Sequence, residues 1–397
     1  MTGNPVVDWA SDYDVFDPGY ITNPFPVWDE LRSSCPVAHT ERLGGSWLPT
    51  TYEDVCAIAR DPRRFSSIEI TVVPPDLDDE FANVKAAPIQ SDPPEHTWSR
   101  RLLLPAFAPR AVTRYEQSTQ ELCNSLIDGF IDRSSVDAAV EYAQQIPVRV
   151  IAAMLGIAES MSDTFTDWVR GVLEFAAIDP ELAKRSRVEA LTFLHSEIID
   201  RKAHPGDDLI SYLLAQEVDG EPVPDLHVLG TCGLLLVAGA DTTWSSIGSA
   251  LWHLASHDAD RKRLVAEPEL VPNAIEEFLR AYSPVTMARI VAEDTDVGSA
   301  TMRAGDRVLM AFPAANRDPN AFEDADQVII DRERNRHVAF GAGIHRCVGS
   351  NLARMEMRIA IETWLARIPE FHLEDPSAVT WAGGQVRGPR HLPVTFP

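Results

Sequence analysis

A chain that contains LHVLGTCGLLLVAGA, Leu226 to Ala240, has to build the rest of itself around that stretch. The run carries Gly230, Gly233 and Gly239 but almost no charge, and a helix that is apolar all round belongs in the middle of a core. It is shorter than the roughly 20 apolar residues that span a bilayer. The expectation is therefore a buried central helix, continuing in helical periodicity over 226 to 256, and no membrane partner.

The same periodicity, with apolar residues three and four apart, recurs over 111 to 133, 137 to 155, 161 to 177, 181 to 202, 259 to 265, 271 to 281 and 350 to 367. Strands are expected near 37 to 50, around Gly44 and Gly45, and near 296 to 312, around Gly298 and Gly305. Residues 1 to 26, rich in Pro, Asp and aromatics, read as an irregular segment. Residues 71 to 96, acidic and proline-rich, read as a surface loop or a substrate cover, since structureless loops longer than about 15 residues are often functional. The 397 residues are 45% hydrophobic and no linker or repeat divides them, so one large unit, mainly α with minor β (α+β), is expected.

Acidic residues outnumber basic ones 60 to 35, which excludes a primary nucleic-acid role, because phosphate binding depends on Lys and Arg. The amino terminus lacks a basic region followed by an apolar stretch, so a cytoplasmic protein is expected. Cys35, Cys56, Cys123, Cys232 and Cys347 form neither a CxxC pair nor a cluster, which argues against disulfides, a zinc ribbon or a fused iron-sulfur domain.

Chemistry concentrates in FGAGIHRCVG, residues 340 to 349. As a dinucleotide fingerprint it fails, because Arg346 stands where the third glycine belongs, and the chain has no P-loop motif. As a metal loop it is coherent. Cys347 precedes an amphipathic helix whose positive end favours a thiolate, Gly341 and Gly343 let the backbone turn tightly, and Gly349 admits a large flat cofactor. One thiolate without companion ligands points to a cofactor that brings its own, and haem does.

Phe340-Gly341-x-Gly343-x-His345-x-Cys347-x-Gly349 resembles the cysteine-ligand loop of the cytochrome P-450 superfamily of haem-thiolate monooxygenases. The resemblance implies a two-lobed fold with haem b (iron protoporphyrin IX) between the central helix and the helix after the cysteine. Cys347 would be the iron ligand, Phe340 and Gly349 would border the haem, and dioxygen would be co-substrate. Val237-Ala-Gly-Ala-Asp-Thr-Thr243 then matches the family's acid-alcohol pair, making Asp241 and Thr242 the proton relay beside the small residues Ala238 and Gly239. The alternative is that Asp241 pairs with a buried base and Thr242 bonds back to the carbonyl four residues earlier.

By the same resemblance Glu277 and Arg280 form the E-x-x-R pair that supports the cysteine loop, and His96, Arg100, Arg289 and His345 meet the haem propionates. One departure stands out: Gln327 occupies the place of an arginine that joins the E-x-x-R pair, with Arg332 as a substitute. The implied substrate pocket is bounded by residues 68 to 90, Leu235, Ala238, Gly239, Val285, Met287 and the turn near Gly383 to Val386. It suits a small or medium hydrophobic molecule, with an aromatic or aryl ether preferred, and hydroxylation or O-dealkylation as the reaction. Electrons would come from a separate ferredoxin or flavodoxin with an NAD(P)H reductase, docking near Arg332, Arg334, Arg336, Arg346, Arg354 and Arg358, and the protein would be a monomer. The rival readings are a peroxide-driven peroxygenase and a non-catalytic haem gas sensor or carrier.

Overall fold

The computed structural model describes residues 5–74 and 78–397. The apolar stretch lies in the longest helix, Asp225–Ser256, which has 32 residues. At about 1.5 Å per residue that is long enough to cross a bilayer. Length therefore does not exclude a membrane span, as the shorter apolar run suggested. Packing shows what the helix is for: helices Gln145–Met154, Ser162–Glu174, Pro180–Ala203 and Ser350–Arg367 and strand Gly388–His391 all lie against it. Its glycines allow close approach. A Cβ on Gly230 would meet the Lys85 carbonyl at 1.9 Å, and one on Gly239 would meet Ile151 Cδ1 at 2.6 Å.

The predicted helices recur with shifted or broken ends. Residues 111 to 133 divide into Pro109–Val112, a tight turn at Thr113–Tyr115 and helix Glu116–Asp128. In 137 to 155 the first residues leave the helix: Ser135–Asp137 pairs with the C-terminal strand Pro393–Thr395, and the helix runs over Gln145–Met154. The N-terminal segment is less irregular than its composition implies, because Asp8 and Asp17 accept hydrogen bonds from the first N–H groups of two short helices, Trp9–Asp12 and Pro18–Thr22.

Strands occur in both expected regions, but the sequence reading missed others, among them Thr286–Val291 of the main sheet. The main sheet runs Val37–Thr40, Ser46–Pro49, Arg307–Ala311, Thr286–Val291, Phe65–Ser66. Thr286–Val291 lacks a simple apolar-polar alternation because both its faces are covered. Ala288 packs into the core beside Leu309, while Met287 and Arg289, two residues apart on the other face, border a cavity.

Candidate active site

That cavity, about 200 Å³, lies between the central helix, strand Thr286–Val291 and the 340–349 loop. Leu235, Ala238, Gly239, Thr242, Val285, Met287, Arg100, Arg289, Phe340, His345, Cys347 and Gly349 all line it. Residues 340–349 come to it as a tight loop, with Gly341 at φ 70° and Gly343 at φ 69°. A Cβ on Gly343 would lie 2.2 Å from the Ala59 carbonyl, so this position demands glycine in both conformation and space. Cys347 N–H donates to the Phe340 carbonyl at 2.8 Å, closing the loop ahead of helix Ser350–Arg367.

Cys347 forms part of the cavity wall, open to the cavity itself but surrounded by protein. Burial pushes its thiol above the ordinary value, while the Gly349 N–H and Arg100, Arg346 and Arg354 act in the opposite direction. The helix end and the nearby arginines thus act in the direction the sequence implies, against the desolvation of the sulfur. A metal ion bound to a thiol removes its proton outright.

Beside the sulfur lie Arg100, Arg289, His96 and His345, which form no ion pair among the described residues, although Asp92 attracts His96 and Arg289. His96 and His345 have ring centroids 4.2 Å apart, and both lie near Arg100 and Arg289. Burial, followed by repulsion from Arg289, His96 and Arg100, pushes His345 down to about 3. Burial likewise brings Arg289 down to about 10, and its guanidinium donates to the carbonyl of its neighbour Ala288. His96 Nε2 is buried and unpartnered, and His345 Nε2 meets only the Ser67 hydroxyl, at 2.9 Å. Such a cluster is costly without an anion. The two carboxylates of a haem bound beside Cys347 would fit these donors.

Comparison with known proteins agrees. The family profile of cytochrome P-450 matches residues 184–378. Mycinamicin IV hydroxylase/epoxidase of Micromonospora griseorubida is 34% identical over 93% of this chain and 94% of its own. Vitamin D(3) 25-hydroxylase of Pseudonocardia autotrophica is 34% identical over 98% and 97%. Among solved structures, the bacillaene polyketide synthase cytochrome P-450 of Bacillus subtilis 168 superposes with a TM-score of 0.88 at 31% identity, covering 97% of this chain and 99% of that one. The chain belongs to the cytochrome P-450 family. It is a haem-dependent monooxygenase that uses dioxygen.

In this cytochrome Glu277 and Arg280 are fully buried and bonded twice, at 2.8 and 2.9 Å. Gln327 takes no part through its side chain, which bonds to Asp326; only its backbone carbonyl accepts from Arg280. The third charge is Arg332, whose Nε lies 3.0 Å from Glu277 Oε2, so the triad is complete without an arginine at 327. Of the six arginines expected to form a docking patch, Arg332, Arg354 and Arg358 are committed to Glu277, Glu276 and Glu116. Arg334, Arg336 and Arg346 are exposed.

Both bonding patterns of the alternative reading of the acid-alcohol pair are present. Thr242 Oγ1 donates to the Ala238 carbonyl at 2.9 Å while facing the cavity. Asp241 is buried and ion-paired to Arg390 at 2.6 Å, and burial pushes its carboxyl up to about 6. Gly239 is required by its contact with Ile151 and not only by room beside the cofactor. The turn at Gly383 and Gly384 packs on Ile21 and Phe16, and no residue of 383 to 386 lines the cavity; Val386 is tied to it only indirectly, as the bridge partner of Val285. Part of the 68 to 90 stretch, residues 75–77, lies outside the described residues; Pro88 and Ile89 do line the cavity. Sequence reasoning missed Thr243 and Ser246, although Ser246 follows Thr242 by one helical turn, and it missed Arg390, which no local signal marks.

Proposed function

We propose that this cytochrome inserts one oxygen atom of dioxygen into an uncharged hydrophobic molecule of small or medium size, aromatic rings and aryl ethers included, by hydroxylation or O-dealkylation. It acts as a monomeric single haem domain in the cytoplasm and draws electrons from a separate ferredoxin or flavodoxin with its NAD(P)H reductase. The observation that carries the reading is that Cys347, Arg100, Arg289, His345 and Thr242 border one cavity whose remaining wall is mostly apolar, with Ile89, Leu234, Leu235, Val285 and Met287 in it. Arg100 and Arg289 are needed by the cofactor's carboxylates, which leaves no charge to match a charged substrate.

When bound, thiolate-ligated haem supplies the oxygen chemistry. The protein's part is to hold and protect it. Cys347 would hold the iron, and His96, Arg100, Arg289 and His345 would orient the carboxylates. The Thr242 hydroxyl offers a proton at the cavity surface, and Asp241, brought up to about 6, is poised near neutrality to exchange one. A peroxide-driven reaction would give this pair no task.

The test is an absorption spectrum of the dithionite-reduced protein under carbon monoxide. A strongly red-shifted Soret band that is lost in Cys347→Ser supports thiolate ligation. A band typical of histidine-ligated haem in the wild type overturns it. Product formed with reductase and ferredoxin but not with peroxide alone separates the monooxygenase from the peroxygenase.

A further inference from the structure

Asp241 is held by a cation from the far end of the chain. Arg390, on strand Gly388–His391, donates from Nη2 to Asp241 Oδ1 at 2.6 Å, from Nη1 to Ser245 Oγ at 2.9 Å and from Nε to Glu174 Oε1. The approach is built into the packing. A Cβ on Gly388 would lie 2.3 Å from Ser245 Cβ, so glycine lets the strand press against the central helix, and the Arg390 guanidinium lies over the Trp244 ring at 5.4 Å. Glu174 ends helix Ser162–Glu174, and its second oxygen accepts from Arg170 at 3.2 Å. Arg390 and Glu174 are each 12% exposed, Asp241 is 1% exposed, and Asp241 Oδ2 has no partner.

One guanidinium therefore serves two buried carboxylates on two different helices. Arg390 and Glu174 are the charged groups acting on Asp241, with the Ser245 hydroxyl as its other bonding partner and Arg170 behind Glu174. Whatever share of the Arg390 charge Glu174 holds is withdrawn from Asp241, and Glu174 adds its own repulsion.

We propose that Arg390 is a positioning residue for proton delivery, and that Glu174, by competing for it, sets the proton affinity of Asp241. Glu174 keeps the carboxyl protonatable near neutral pH, while Arg390 holds Oδ1 and leaves Oδ2 without a partner. The inference rests on the reading of Asp241 as a proton carrier for Thr242. It does not depend on the identity of the substrate.

The experiment titrates the protonated-carboxyl stretch of the haem-loaded full chain by infrared difference spectroscopy, with Asp241→Asn assigning the band. Glu174→Gln should lower the Asp241 midpoint by about one pH unit, Arg390→Gln should raise it by about one to three, and Arg390→Lys should stay near wild type. In NADH-driven turnover with a surrogate ferredoxin and reductase, Arg390→Gln should release several-fold more of its electrons as hydrogen peroxide, and Arg390→Lys should restore the wild-type yield. An unmoved midpoint in Glu174→Gln overturns the proposal even if Arg390→Gln fails to fold. A shifted midpoint with unchanged peroxide release overturns its catalytic half. Neither result touches the carbon monoxide spectrum, so failure here is distinct from failure of the haem-thiolate reading.

Discussion

Arg332→Met tests whether the buried triad depends on position 332 or on position 327. The Arg332 side chain is 9% exposed and Glu277 is fully buried, so solvent screens their pair little. Three hydrogen bonds disappear with the guanidinium: to Glu277 Oε2 at 3.0 Å, to the Glu323 carbonyl at 2.7 Å and to the Asp324 carbonyl at 3.2 Å. The bond to the carboxylate contributes about 1.5–3 kcal/mol and each of the others about 1 kcal/mol. The sum of about 3.5–5 kcal/mol agrees with the usual cost of removing one partner of a buried ion pair. Glu277 would keep Arg280, the Ile329 N–H and Asn335, so the fold should survive with a weakened loop. Gln327→Ala removes only an amide bonded to exposed Asp326 and should stay within about 0.5 kcal/mol of wild type. Denaturant midpoints of both variants, with the carbon monoxide spectrum as a monitor of the cysteine loop, provide the assay. Equal shifts in the two variants, or wild-type behaviour of Arg332→Met, would refute the assignment.

Gly343→Ala should abolish the red-shifted carbon monoxide band, because its Cβ would strike the Ala59 backbone at 2.2 Å; Gly341→Ala, whose nearest contact is 3.7 Å, should bear only the left-handed strain of about 1–2 kcal/mol and keep the band. Although burial pushes Glu276 up, hydrogen bonds from Arg354 and His337 bring it from the ordinary 4.5 down to about 2. Its stabilising contribution is therefore full above pH 4.5 and lost as pH falls toward 2; it amounts to about 3 kcal/mol, and Glu276→Gln should flatten acid unfolding in that window. Arg346→Glu, at an exposed cation beside the cysteine, should slow reduction by a ferredoxin at low ionic strength, with the deficit shrinking as salt rises; an unchanged low-salt rate counts against docking there.

How much was legible follows from how local each signal is. The loop 340–349 was readable because its glycines, its cysteine and the start of the following helix are contiguous. The two members of the Glu277 and Arg280 pair lie one helical turn apart, and the central helix announces itself by composition. Those are properties of short segments, and the sequence alone determined them. Strand Thr286–Val291 was hidden because its pattern reflects two different surroundings, a core on one face and a cavity on the other.

The tertiary structure decided what long-range geometry controls. It selected Arg332 over Gln327 for the triad and committed Arg354 and Arg358 to acidic neighbours on other helices. It also brought Arg390 across 149 residues to Asp241. A charge in a sequence carries no mark of its partner, since pairing energy depends on distance and burial, and both exist only once the chain has folded.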